Sequence, residues 1–177
     1  MMSVKRMIMI ALAVPIIIIQ EELLVMIPNV QFTVLLIILF SSIFTLKESI
    51  IMVFVYVLID SMYMGALNPL YMTPMILAWS FIPFSIHTYL RGTKSEVKLA
   101  IFALGFGFLY GMAFIPFKMI EQGITQLWPY FIADLPFEII MSVTGFLTVI
   151  LLFKPLYSVV KQFDTEDLHS YKKAKLN

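Results

Sequence analysis

The sequence contains no cysteine, which excludes a disulfide framework, a thiol nucleophile and a cysteine-bound metal. It has only two histidines, His87 within an apolar run and His169 near the C-terminus, so a paired-histidine haem or zinc site is not expected. Charged residues are scarce, at 13% of the 177 residues, whereas soluble domains carry about 25%. A net charge of +1 gives no reason to expect a nucleic-acid partner.

Apolar residues dominate instead, at 61% of the chain with a mean hydropathy of +0.96. This composition predicts an all-α integral membrane protein built as one domain over residues 1–177. Apolar runs separated by polar or Pro/Gly breaks predict six transmembrane helices. The predicted spans are 7–27, 30–44, 50–64, 71–90, 97–117 and 128–157, followed by a charged cytoplasmic tail at 158–177. The first run could also be a signal peptide, but the small residues typical of a cleavage site do not follow it.

The basic residues are distributed very unevenly between the two predicted sides of the membrane. With six spans both termini lie on one side, and that side then holds every Lys and Arg of the chain except Lys118. Because cytoplasmic loops carry the excess of Lys and Arg, both termini are predicted to be cytoplasmic. The loops around residues 28, 66 and 122 are then predicted to face outward.

Asp134 and Glu138 stand four residues apart within the sixth predicted span. At 3.6 residues per turn, this spacing stacks both carboxylates on one helix face, about 6 Å apart along the axis. Each would cost about 2.5–3.5 kcal/mol near the bilayer centre on insertion scales, so an intramembrane acid is a functional hypothesis by default. Asp134 is predicted at the rim of a polar pocket and Glu138 at its floor. The open alternatives are proton carriage and structural pairing with Lys118 or with hydroxyl groups.

Further polar and aromatic residues gather in the predicted outer half of the membrane. Asp60 near the end of the third span could contact a ligand or a neighbouring helix, and these readings stay open. Trp79 lies about eight residues inside its span, too deep for the interfacial aromatic belt, which favours a cavity or the core. With the two acids above, the candidate substrate-binding residues are Asn29, Gln31, Asp60, Tyr63, Asn68, Tyr71 and Trp79.

Catalysis and resident cofactors are not predicted for this chain. Methionines 62, 64, 72 and 75 could suggest copper, but no histidine or cysteine supports them. Ser80 and His87 lie seven residues apart, about 10 Å along a helix, which is too far for a nucleophile and its base. No phosphate-binding GxxxxGK[S/T] motif occurs, so ATP hydrolysis would require a partner.

Three stretches carry a resemblance to a known family. IPNVQF opens the second span, YVLIDSMYMGALNPLY closes the third, and IADLPFEIIMSVTGFL lies in the sixth. Together with six predicted helices in a short single chain, they resemble the substrate-binding S components of energy-coupling-factor vitamin transporters. The resemblance implies an outward-facing pocket drawing on Asn29, Gln31, Asp60, Asn68, Tyr71, Trp79 and Asp134.

The resemblance also implies partners and a location. It implies a vitamin or related micronutrient as substrate, a membrane coupling subunit, two cytoplasmic ATPase subunits, and the bacterial plasma membrane. S components often dock through an alanine-x-x-x-alanine pattern in the first helix. This chain has only Ala11 and Ala13, which become the candidate docking residues. A stand-alone transporter that uses Asp134 and Glu138 as proton sites is the alternative, although no internal repeat supports it.

Overall fold

The computed structural model describes residues 3–123 and 126–174, and the side chains of all of these except 122 and 164–174. The described chain is all-α and contains no strand. Its helices are α1 (Val4–Leu24), α2 (Thr33–Ser41), α3 (Leu46–Tyr63), α4 (Pro69–His87), α5 (Glu96–Gln122) and α6 (Leu127–Ala174).

Polar side chains fix where most of these helices begin. Thr45 and Glu48 form a reciprocal capping box at the start of α3, so each side chain bonds the other's backbone N–H. The Asn68 side chain accepts from the Leu70 N–H, and Pro69 follows at the first helical position, where its missing N–H costs nothing. Gly123 ends α5 in the left-handed conformation that glycine adopts without strain.

The short helix α2 lies at the centre of the bundle. Its sequence, TVLLIILFS, is apolar on every side, a pattern that demands burial all round, and all nine residues are buried. Helices α1, α3, α4, α5 and α6 pack against one another in that order, and each of them contacts α2. Nine residues extend only about 13 Å, so α2 alone is far shorter than a bilayer core.

The helices alternate in direction and define two ends of the bundle. At the cleft end, where α1, α3 and α5 finish, the Tyr63 hydroxyl donates to the Glu22 carboxylate (3.1 Å) and the Asn68 amide donates to Glu121 (3.0 Å). At the basic end, Arg6 donates to the Ile43 carbonyl (3.2 Å). Lys154 pairs with Glu96 (2.6 Å) at the same end.

The surface has the character of a membrane protein. Among the described residues, α1, α4, α5 and α6 are long and apolar enough to cross a membrane. Helix α3 is not among them because it carries three charged residues, Lys47, Glu48 and Asp60, within its 18 residues. Helix α2 is not among them because it has only nine residues. Large apolar side chains such as Leu12, Leu23 and Leu151 are exposed, which soluble surfaces avoid at this density. The chain is therefore an all-α, multi-pass membrane protein.

The helix bounds differ from the predicted spans mainly at α2 and α6. Residues 25–32 are non-helical, so the second helix begins at Thr33 instead of residue 30. Helix α6 continues without interruption through Pro136 and Pro155 to Ala174, about 72 Å at 1.5 Å per residue, and so projects well beyond a bilayer core. Of the predicted tail at 158–177, residues 158–174 are helical and 175–177 lie outside the described residues.

Candidate functional site

Two adjoining cavities lie between the helices toward the cleft end. The first, here called the acidic cleft, has a volume of about 260 Å³. Its polar and aromatic lining comes from α1, the 25–32 segment, α3, α4 and α5: Glu21, Glu22, Asn29, Gln31, Tyr56, Asp60, Tyr71, Trp79 and Tyr110. The second, here called the Glu138 cavity, has a volume of about 220 Å³ and shares Asn29, Tyr71 and Tyr110 with the first. Its other polar lining residues are Lys118, Tyr130, Asp134 and Glu138.

The non-helical segment 25–32 forms one wall of the acidic cleft. Pro28 cannot donate a backbone hydrogen bond, and Asn29 adopts a positive φ of 58°, a left-handed conformation that asparagine tolerates better than most residues. This turn separates α1 from α2 and directs Asn29 and Gln31 toward the cavity side of the chain. The break in helical structure therefore creates the wall.

Hydrogen bonds hold this wall against α1 and α3. The Glu21 carboxylate accepts from the Thr33 hydroxyl (2.5 Å) and from the Tyr56 hydroxyl (2.7 Å). The Gln20 amide donates to Thr33 (2.7 Å), and its carbonyl oxygen accepts from the Phe32 N–H (2.7 Å). Because Thr33 is the first residue of α2 and Tyr56 lies in α3, these bonds fix three elements around one carboxylate.

Asp60 lies on α3, one turn after Tyr56, and lines the same cleft. Its side chain is buried, at 6% exposure, and accepts no hydrogen bond from the described part of the chain. Glu22 lies at the rim, where it accepts from Tyr63. No Lys, Arg or His is among the described residues that line this cleft.

Aromatic side chains form the deep wall of the acidic cleft. Trp79 is 1% exposed, and its ring centroid lies 4.9 Å from Tyr110 and 5.3 Å from Phe106. Tyr56 meets it edge-on at 6.1 Å. The indole N–H of Trp79 has no hydrogen-bond partner in the described chain, which is uncommon for a buried donor.

The Glu138 cavity contains both acids of α6. Glu138 is buried, at 6% exposure, and its carboxylate accepts from the Gly111 N–H (3.2 Å). Asp134 is half-buried and lines the same cavity. Lys118 forms its ion pair with Glu121 (3.2 Å), three residues further along α5. Glu138 is therefore bonded to backbone, and the ion pair of Lys118 is with Glu121 and not with either acid of α6.

Most of the predicted binding residues lie at these two cavities. Asn29, Gln31, Asp60, Tyr71 and Trp79 line the acidic cleft, while Asn29 and Tyr71 also reach the Glu138 cavity with the two acids of α6.

Tyr63 and Asn68 line neither cavity. Tyr63 is 64% exposed and bonds Glu22, while Asn68 caps α4 and bonds Glu121. The described hydrogen bonds of both side chains therefore lie at the cleft end, outside the two cavities.

Glu21 and Glu22 were not among the predicted binding residues, although an acidic pair on the same predicted side as Asp60 was an available signal. A metal is not suggested by their geometry, since the described residues hold no group of three or more His, Cys, Asp or Glu side chains arranged to bind an ion.

The candidate docking residues do not share a surface. Ala13 is fully buried against the core, whereas Ala11 is exposed on the outer face of α1. Two positions along a helix turn the side chain by about 200°, so both residues cannot face one partner. A docking face on α1 would have to use Ala11 and its exposed neighbours without Ala13.

Comparison with protein-family models, with curated proteins and with solved structures finds no match for this chain.

Proposed function

We propose that this chain is a substrate-binding membrane subunit of an energy-coupling-factor transporter, which captures a vitamin or related micronutrient. The observation that carries the proposal is the non-helical wall at 25–32, which faces a polar cleft inside a lipid-exposed bundle. Irregular backbone at membrane depth is tolerated only where protein or a water-filled cavity satisfies it. Interrupted helices of this kind typically form the substrate sites of membrane transporters.

The proposal includes a topology. Six crossings place both termini in the cytoplasm of a bacterial cell and the cleft end outside, because the basic residues other than Lys118 lie on the opposite side. Substrate then enters the cleft from the exterior. The short α2 crosses with the help of the non-helical segment before it and the turn after it, shielded from lipid by the five surrounding helices.

The proposal also requires partners, because the chain has no ATP-binding motif of its own. A membrane coupling subunit and two cytoplasmic ATPase subunits supply the energy, and the chain itself is not catalytic. The exposed apolar face of α1, which includes Ala11 and Leu12, offers a surface for such a subunit within the membrane.

Uptake in cells that either contain or lack an energy-coupling-factor module tests this function. The chain expressed with the module should support uptake of a vitamin, and expression without it should not. The vitamin should also co-purify with the isolated chain and be identified by mass spectrometry. Asp134→Ala should weaken its binding without loss of membrane insertion. Uptake by the chain alone at the same rate would contradict the proposal.

A stand-alone proton-coupled transporter is the second candidate, favoured by the position of Asp134 and Glu138 in one cavity. Neighbouring carboxyl groups disfavour the simultaneous ionisation of both, which suits proton carriage. In that case substrate uptake by the chain alone should collapse when the proton gradient is dissipated, and Glu138→Gln should abolish it. Uptake that depends on ATP and on the coupling module separates the first candidate from this one.

A further inference from the structure

Asp60 is a buried acid with no partner. It is 6% exposed, lines the acidic cleft, and receives neither a hydrogen bond nor an ion pair from the described residues. A buried carboxylate is stable only when a counter-charge or donors compensate for lost water. When Asp60 is ionised, its compensating group therefore has to come from the contents of the cleft.

The neighbouring carboxylates increase this demand. Glu21 and Glu22 line the same cleft, and the hydrogen bonds that they accept come from the neutral hydroxyls of Thr33, Tyr56 and Tyr63. No basic side chain among the described residues lines the cleft to balance them. Three acids thus face one volume of about 260 Å³ without a cation.

The aromatic lining supplies an independent observation. Tyr71 and Tyr110 line the cleft and keep part of their surface exposed, whereas Trp79 is 1% exposed and its indole N–H is buried. Exposed aromatic faces attract both planar rings and positive charge.

We propose that the ligand of the acidic cleft is an organic cation that carries a planar ring. The positive group lies against Asp60 and Glu21, and the ring lies against Tyr71 and Tyr110. This inference rests on the proposed function and names the charge class of its substrate. A single metal ion fits less well, because the cleft is far larger than an ion and the acids do not converge on one point.

The test exposes the purified chain to an equimolar mixture of water-soluble vitamins and identifies what is retained by native mass spectrometry. The mixture contains thiamine as a cation, riboflavin and pyridoxine as neutral compounds, and biotin and pantothenate as anions. Retention of thiamine alone is the expected result. Retention of a neutral or anionic member would overturn the charge assignment while leaving the proposed function in place. If no vitamin is retained and none is taken up with a coupling module, both proposals fail.

Charge-removing variants locate the positive group. Asp60→Asn and Glu21→Gln should each weaken thiamine binding at least tenfold, whereas Glu96→Gln, which removes an acid at the basic end, should leave it unchanged. Asp60→Asn should also leave the melting temperature of the ligand-free protein unchanged or raise it, because it removes an uncompensated charge. Unaltered affinity in Asp60→Asn and Glu21→Gln would overturn the inference. An equal loss of affinity in Glu96→Gln would do the same.

Discussion

At the scale of single residues, the close approach of α5 to α6 depends on two glycines of α5. A β-carbon on Gly107 would lie 2.6 Å from the Ser142 backbone nitrogen and 2.7 Å from its Cα, and one on Gly111 would collide with the Glu138 carboxylate. Gly107 and Gly111, which are spaced as a small-xxx-small pair, therefore allow close packing between α5 and α6.

Gly107→Ala should destabilise the protein for this reason. The added methyl group meets the backbone of α6, which cannot move aside as a flexible side chain can. We expect a loss of about 1–3 kcal/mol of unfolding free energy, typical of an overpacked core, measured by thermal unfolding in detergent. Gly105→Ala is the matched control in the same helix, because nothing lies within 4 Å of its β-carbon position. A melting temperature that is lowered equally in both variants would contradict the close contact.

At the scale of elements, the Glu21 hydrogen bonds attach α2 to α1 and α3. Thr33→Val removes the hydroxyl that donates to Glu21 and accepts from Gln20, and so leaves both polar groups less satisfied. We expect a loss of about 1–3 kcal/mol in stability, as found for unsatisfied buried polar groups, and weaker ligand binding as the 25–32 wall loosens. Ser158→Ala, which deletes an exposed hydroxyl bonded only to the Pro155 carbonyl, should shift the melting temperature little. Unchanged stability in Thr33→Val would show that these bonds do not hold the wall.

The helix bounds could be predicted from sequence where the length of an apolar run determined them. They were predicted less well where packing against other helices determined them. Spacing alone placed Asp134 and Glu138 on one face, and the two line one cavity. The short α2 was not predicted, because an apolar run shows burial but not where its helix begins. That start depends on Thr33 bonding Glu21 and Gln20, contacts between α1 and α2 that only the fold brings together. For the same reason Glu21 was overlooked as a cleft residue.

At the scale of the whole molecule, the two ends differ in charge. The acidic cleft lies toward the end where α1, α3 and α5 finish, and Arg6, Lys47, Arg91 and Lys154 lie toward the other. Positive residues are retained on the cytoplasmic side, whereas acids have little influence on orientation. In the proposed topology, the basic end therefore faces the cytoplasm and the acidic cleft faces the exterior.

Because the chain has no cysteine, single-cysteine variants can report this orientation without background labelling. Leu67→Cys lies in the exposed loop between α3 and α4 at the cleft end, and Tyr89→Cys lies in the exposed turn after α4 at the basic end. In intact bacterial cells, a membrane-impermeant maleimide should label the first variant and should label the second only after permeabilisation. Lys47→Cys, in the exposed first turn of α3, should behave like Tyr89→Cys if the short α2 crosses the membrane. Labelling of Lys47→Cys in intact cells would show that α2 returns to the outer side and that the six-crossing topology is wrong.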